Sequence, residues 1–279
     1  MGARDNADFL DANGPSTQTK YRKSMKARLE SMSHRHRITE VFSDVMAMIA
    51  IALSNRCDLN QYEKRENEYL EIARKYSKEE LMEVAKIYAE LCLAMETAPR
   101  DVLGELYMEL EVSNSKMGQF FTPSEVCSLM AKLLLDREKA KSIVKTEGFI
   151  TLQDPACGGG AMIIAFADAL RENNINYQQQ LHVTAIDLDI TAVHMTYIQL
   201  SILFIPAIIT CGNSLTLKEY SRWYTNAHIL NGWNFKLRRR MNKNKTDGEG
   251  FSDLAPNTGC GVVANTEYPT SGNVETRKE

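Results

Sequence analysis

Asp154-Pro155-Ala156-Cys157-Gly158-Gly159-Gly160-Ala161 lies where an apolar, strand-like run, Phe149 to Leu152, gives way to an amphipathic, helix-like run, Met162 to Leu170. Strand, glycine turn and helix in that order predict a ligand cradle. Glycines admit positive φ and let the backbone approach a ligand closely, and the free N–H groups of the following helix present a partly positive end. The stretch therefore nominates a cofactor site at the carboxyl end of a parallel strand.

Outward from this turn the chain alternates strand and helix patterns, which argues for a parallel sheet covered by helices. A helix is expected from Ser124 to Leu135, then the strand Phe149 to Gln153, then the glycine turn and its helix. Leu181 to Ile186 reads as a second strand ending at Asp187, Asp189 to Phe204 as a helix, and Ala207 to Cys211 as a third strand. Upstream the pattern is helical throughout. Ile38, Val41, Phe42, Val45, Met48, Ile49 and Ala52 share one face, and a second helix is expected from Gln61 to Tyr76. Ser77 with Glu80 forms a capping-box signature ahead of a stripe from Leu81 to Met95, and a shorter helix runs from Asp101 to about Val112. The expected organisation is a flexible basic N-terminus over 1–35, a helical domain over 36–113, a Rossmann-like α/β domain over 114–240 and a disordered polar tail over 241–279.

Composition narrows the function classes. The 279 residues are 44% hydrophobic and 25% charged, enough for one large or two modest domains. A net charge of −3 supplies no overall basic field, so contact with nucleic acid would need a local patch. The basic cluster from Lys20 to Arg37 is read as a solvated helix face in preference to a phosphate contact. Six cysteines without a C-x-x-C pair predict reduced thiols in a cytoplasmic protein and argue against a zinc site. The longest apolar stretch, Ile198 to Thr210, is too short and too interrupted to span a bilayer, and no targeting segment is visible.

The turn itself selects among cofactors. A dinucleotide fingerprint fails because Ile163 occupies the place of the third glycine, and the lysine of a P-loop is absent. A carboxylate at each of two strand ends remains, Asp154 and Asp187, and the second suits a pair of ribose hydroxyls.

Four motifs then occur in order: Gly118-Gln119-Phe120-Phe121-Thr122-Pro123, the Asp154 turn, Ala185-Ile186-Asp187, and Cys211-Gly212-Asn213-Ser214-Leu215. Together with Asp101-Val102-Leu103-Gly104-Glu105-Leu106-Tyr107 they resemble N6-adenine DNA methyltransferases, in particular the modification subunits of type I restriction systems. The resemblance spans about Ile38 to Leu215 and implies a Rossmann-like sheet binding S-adenosyl-L-methionine, with DNA as partner. It implies that Gln119, Phe120, Phe121, Thr122 and Pro123 line the methionine end, and that Ala156, Cys157, Gly158 and Gly160 present backbone to it. Asp154 would lie near the amino group, Asp187 would hold the ribose and Asn213, an aspartate in many relatives, would lie beside the adenine ring. Phe120 and Phe121 read equally well as core aromatics, and Cys157 as a small buried residue in place of a nucleophile.

One element of the family pattern is missing. These enzymes use Asn or Asp followed by Pro-Pro and an aromatic, because the adenine amine is a poor nucleophile whose hydrogens must be accepted while the flipped base is stacked. None of the seven prolines is adjacent to another. In that place stand Trp223-Tyr224-Thr225-Asn226-Ala227-His228, then Trp233-Asn234-Phe235 and Arg238-Arg239-Arg240. Two readings follow. Either Asn226 and an aromatic rebuild a base pocket, with the arginines on phosphate, or the aromatics pack a truncated sheet and the arginines form a solvated end. Enzyme and catalytically incomplete cofactor-binding subunit therefore both stand, and a sheet stopped early leaves an edge for a partner subunit or a second copy.

Overall fold

The computed structural model describes residues 15–96, 98–110 and 122–246. Among them are twelve α-helices and one four-stranded sheet, with the helical block first and the α/β part after it. The helices of the block are α1 (Pro15–Met32), α2 (Ile38–Ser54), α3 (Tyr62–Ala73), α4 (Lys78–Met95) and α5 (Val102–Glu109). Then come α6 (Ser124–Leu134), α7 (Arg137–Glu147), β1 (Ile150–Asp154), α8 (Ala161–Glu172), the single turn α9 (Tyr177–Gln180) and β2 (Leu181–Asp187). The chain continues through α10 (Ile190–Ile202), β3 (Ala207–Asn213), β4 (Lys218–Tyr224), α11 (Asn226–Leu230) and α12 (Trp233–Thr246).

The strands lie in the order β1-β2-β3-β4, the first three parallel and β4 antiparallel to β3. Parallel pairing demands crossover helices, and α8 and α10 supply them. With Asp154 paired to Ala185 and Asp187 to Cys211, the carboxyl ends of all three parallel strands finish together. The three strands legible in the sequence are thus present as a Rossmann-like sheet, and the sheet is short.

The capping box at Ser77 and Glu80 is formed in both directions, at 3.2 and 2.7 Å. The N-terminal expectation needs correction. Residues 15–32 are helical, and Met25, Leu29 and Met32, spaced at four and three residues, are fully buried on α4 and its neighbours. The charges around them hid that stripe: Arg28 pairs with Glu83 and Glu90, Arg22 with Glu105 and Glu109, and Arg35 with Glu80. The basic cluster is therefore largely a set of ion pairs docking α1. At the other end α12 carries the chain helically past residue 240 to Thr246. The junction near residue 113 lies outside the described residues.

One hydrophobic core runs from Met25 and Leu29 through Val45, Leu91 and Leu106 to Val183, Ile198 and Trp223, so the helical block and the sheet share their interior. The shared face is α10, buried on nearly every side and packed against α2, α5, β2 and β3. Arg65 of α3 adds a polar tie. Buried beside Asp58 at 3.0 Å, it also bonds Ser54 and the Arg222 carbonyl and stacks 3.9 Å over the Trp223 ring.

Candidate functional site

The glycine turn is held from every side by hydrogen bonds reaching its backbone. Cys157 N–H donates to the Ile186 carbonyl at 3.0 Å and Gly160 N–H to the Cys157 carbonyl at 2.8 Å. Thr196 Oγ1 donates to the Gly158 carbonyl at 2.7 Å, and Gln199 Nε2 to the Gly159 carbonyl at 2.8 Å, both from α10. Gly158 and Gly160 sit at φ of 53° and 91°, where a side chain would be strained. At Gly160 a Cβ would also press on Thr196. The chain consequently enters α8 with no side-chain cap, leaving the first-turn N–H groups directed at the end of the sheet.

Asp187 closes the turn from the next strand. Its Oδ2 accepts from Gly158 N–H at 2.8 Å and its Oδ1 from Asp189 N–H at 3.0 Å. A carboxylate has about four acceptor positions, so capacity for further donors remains on both oxygens. Asp154, at the end of β1, accepts only from Ala156 N–H, at 3.2 Å. Burial, and secondarily the charge of Asp187, push its carboxyl above the ordinary range. Two carboxylates thus stand at neighbouring strand ends, and among the described residues neither pairs with a cation, an arrangement that favours a positively charged ligand.

Asn213 ends β3 beside them. Its Oδ1 accepts from Leu215 and Thr216 N–H, both at 2.9 Å, which shapes the following turn and commits the oxygen. What Asn213 offers a ligand is therefore its amide donor, a narrower capacity than its residue type suggests. Leu188 and Leu215, both largely exposed, add apolar surface next to Asp187 and Asn213.

Thr122 and Pro123 are exposed at the start of α6, and Gln119, Phe120 and Phe121 lie outside the described residues. Thr122 and Pro123 line a cavity of about 480 Å³ together with Arg22, Asp101, Glu105 and Met108. Glu105 orders this wall, accepting from Arg22, from Arg100 at 3.2 Å and from Ser124 Oγ at 2.8 Å. Cys157 is buried, with its thiol pushed well up by burial and then by the charges of Asp187 and Asp154, which suits packing and not attack.

Sequence reasoning missed the residue that joins these parts. Gln199, fully buried, accepts from Val102 and Leu103 N–H at 2.8 and 3.1 Å, and donates to Asp101 Oδ1 and the Gly159 carbonyl, both at 2.8 Å. Asp101 in turn caps α5 through Gly104 N–H at 2.8 Å. A glutamine inside a helix run that is apolar apart from it and Ser201, Tyr197 to Leu203, was the available signal.

Asn226 is not brought to this site. Because β4 runs antiparallel, pairing Lys218 with Asn213 and Tyr224 with Ile208, the chain returns to the amino end of the parallel strands before Asn226 begins α11. That topology sets Asn226 at the opposite end of the sheet from Asp154 and Asp187. The aromatics around it pack: Trp223 lies against His194 and Tyr197, and Trp233 against Phe149 and His182.

A family model for N-6 DNA methylases matches residues 98–259. That is more than half of the chain, and the protein belongs to this family. Among curated proteins no relative matches. Among the described residues there is no cluster of three or more metal-ligating side chains, and no helix is long and apolar enough to cross a membrane.

Proposed function

We propose that the chain is the S-adenosylmethionine-binding component of a cytoplasmic DNA adenine-N6 modification activity, of the restriction–modification kind. Family membership makes DNA the expected substrate. The observation that carries the cofactor assignment is the Asp154–Asp187 pair facing the uncapped start of α8: two carboxylates for an ammonium and a ribose, free N–H groups for a carboxylate. Asp187 would accept from the ribose hydroxyls, Asp154 would attract the amino group, and Ala156, Cys157, Gly158 and Gly160 would present backbone along the methionine portion. Asn213 would donate its amide to the adenine ring against the apolar surface of Leu188 and Leu215. Thr122 and Pro123, with Gln119, Phe120 and Phe121 ahead of them, would close the methionine end. Bound there, S-adenosylmethionine supplies an electrophilic methyl group.

The chain's own residues bind and orient, and Asn226, the residue expected to accept the hydrogens of an incoming amine, is not among the described residues at the site. A cofactor-binding subunit is thus favoured over a self-sufficient enzyme, the observation being Asn226 at the wrong end of the sheet. Methylation mapping of DNA from a methylation-deficient host expressing this chain alone tests the point. Background levels of N6-methyladenine, with cofactor binding measured separately, are expected; methylation above background would restore the self-sufficient enzyme.

A further inference from the structure

Helix α12 carries more positive charge than the fold uses. Its sequence, Trp233 to Thr246, holds six basic residues and no acidic one, in a chain whose net charge is −3. One face is built into the molecule. Trp233 and Leu237, four residues apart, are buried with Phe149, and Arg240, three further on, donates to the Phe149 carbonyl at 3.2 Å and pairs with Glu147 at 3.4 Å. Lys243 reaches the same carboxylate at 3.7 Å, and Lys236 lies 4.3 Å over the Trp233 ring.

The opposite face makes no such contacts. Phe235 is 71% exposed, and Arg238 and Arg239, three and four residues after it, are exposed beside it. Neither arginine takes part in an ion pair or a side-chain hydrogen bond among the described residues. Arg239 also stands one turn from both Lys236 and Lys243, and like charges at that spacing destabilise a helix. The basic cluster near the N-terminus differs, because there Arg22, Arg28 and Arg35 are each paired with glutamates. Through Glu147 the helix abuts α7, where Lys141 and Lys145 are exposed and likewise lack an acidic partner among the described residues. The local patch that a chain of net negative charge needs for nucleic acid is therefore present, and it lies at the amino end of the parallel strands.

We infer that the outward face of α12, centred on Arg238 and Arg239, holds the phosphate backbone of duplex DNA, independently of base sequence and away from the Asp154–Asp187 crevice. Successive guanidinium forks suit phosphate oxygens, and a duplex presents a charge about every 1.7 Å of its axis to a linear run of cations. Phe235 lies against the sugars between them. A bilayer is the poorer occupant, because it requires an apolar helix face to insert, and that of α12 is already buried in the fold. The inference depends on family membership and not on what the crevice binds. Such a contact positions the duplex and raises its local concentration without reading it.

Fluorescence anisotropy of the full chain with labelled duplexes of about 30 base pairs and two unrelated sequences, from about 50 to 200 mM salt, tests this. Arg238→Gln with Arg239→Gln should weaken binding about tenfold at the lowest salt, equally for both sequences, and reduce the slope of log affinity against log salt by about 1.8, since each phosphate contact contributes about 0.9. Both side chains are exposed, so urea unfolding should show an unchanged midpoint. Lys64→Gln with Arg74→Gln removes the same charge from exposed positions of the helical block and should leave DNA affinity within about twofold. Absence of duplex binding, an unchanged slope in the arginine variant, an equal loss in the Lys64 and Arg74 variant, a loss confined to one sequence, or tighter binding to phosphatidylserine vesicles than to duplex would each overturn the inference. Calorimetry with S-adenosylmethionine reads the crevice separately, so the two readings can fail independently.

Discussion

The two ends of the parallel sheet are built from opposite materials. At the carboxyl end stand Asp154, Asp187 and Asn213, half-exposed around a glycine turn, the two carboxylates paired with no cation among the described residues. At the amino end Phe149, His182, His228 and Trp233 close the sheet with rings, Trp233 meeting Phe149 edge-on at 4.9 Å. Arg240 seals that corner, donating to the Phe149 carbonyl at 3.2 Å and pairing with Glu147. One end is closed by rings and an ion pair, and the other leaves its carboxylates partly open to solvent.

The buried histidines should make the fold sensitive to acid. His228 Nε2 faces Asn234 Oδ1, so it donates there, and His228 Nδ1 accepts from His182 Nε2 at 3.0 Å with both rings neutral. Burial holds His182 well below the ordinary histidine value, His228 down to about 4 and His194, against Trp223, down to about 3. Below about pH 6.5 the unfolded chain takes up protons that the native state refuses, so stability falls as the pH falls, by about 2 kcal/mol each for His228 and His194 between pH 7 and 5. Asp101 and Asp154, raised by burial, act in the opposite sense, and His194→Phe isolates the contribution of that one histidine. Urea titrations from pH 7 to 5 should show His194→Phe losing about one proton from the slope; an unchanged slope would remove His194 from the account.

The tie between the open end and the helical block comes next in size. Gln199→Leu strands two N–H groups of α5 and the Gly159 carbonyl without partners, which costs about 3 kcal/mol in urea unfolding. A loss below about 1 kcal/mol would mean that water replaces the amide. At the open end itself Asp187→Ala should weaken S-adenosylmethionine binding by about 2–3 kcal/mol, since it removes both the ribose acceptor and the partner of Gly158 N–H. The smallest effect belongs to Asn226→Ala. Sitting at the sealed end, it should shift stability by less than about 1 kcal/mol and leave cofactor affinity unchanged; weakened binding in calorimetry would bring Asn226 back to the site.

The open end was the more legible in the sequence. Glycines at fixed φ and carboxylates at strand ends are local signals, each readable within a few residues, as is the Ser77–Glu80 capping box in the helical block. The sealed end was not. Helix α7 has only Ala140 fully buried, so its stripe is faint, and its best marks were the cap at Asp136 and the left-handed Gly148. Strand β4, Lys218–Tyr224, lies at an edge with three of its residues exposed and lacks the continuous apolar run of its neighbours. Its antiparallel direction, which decides the fate of Asn226, is a tertiary property that no local pattern carries.

The central claim is that the Asp154–Asp187 crevice binds S-adenosylmethionine. Isothermal calorimetry of the full chain with S-adenosylmethionine, beside Asp187→Ala, tests it most directly. One site per chain, weakened about thirtyfold or more by the substitution, is the predicted result; no heat of binding to the unaltered chain, or equal affinity in the two proteins, would contradict it.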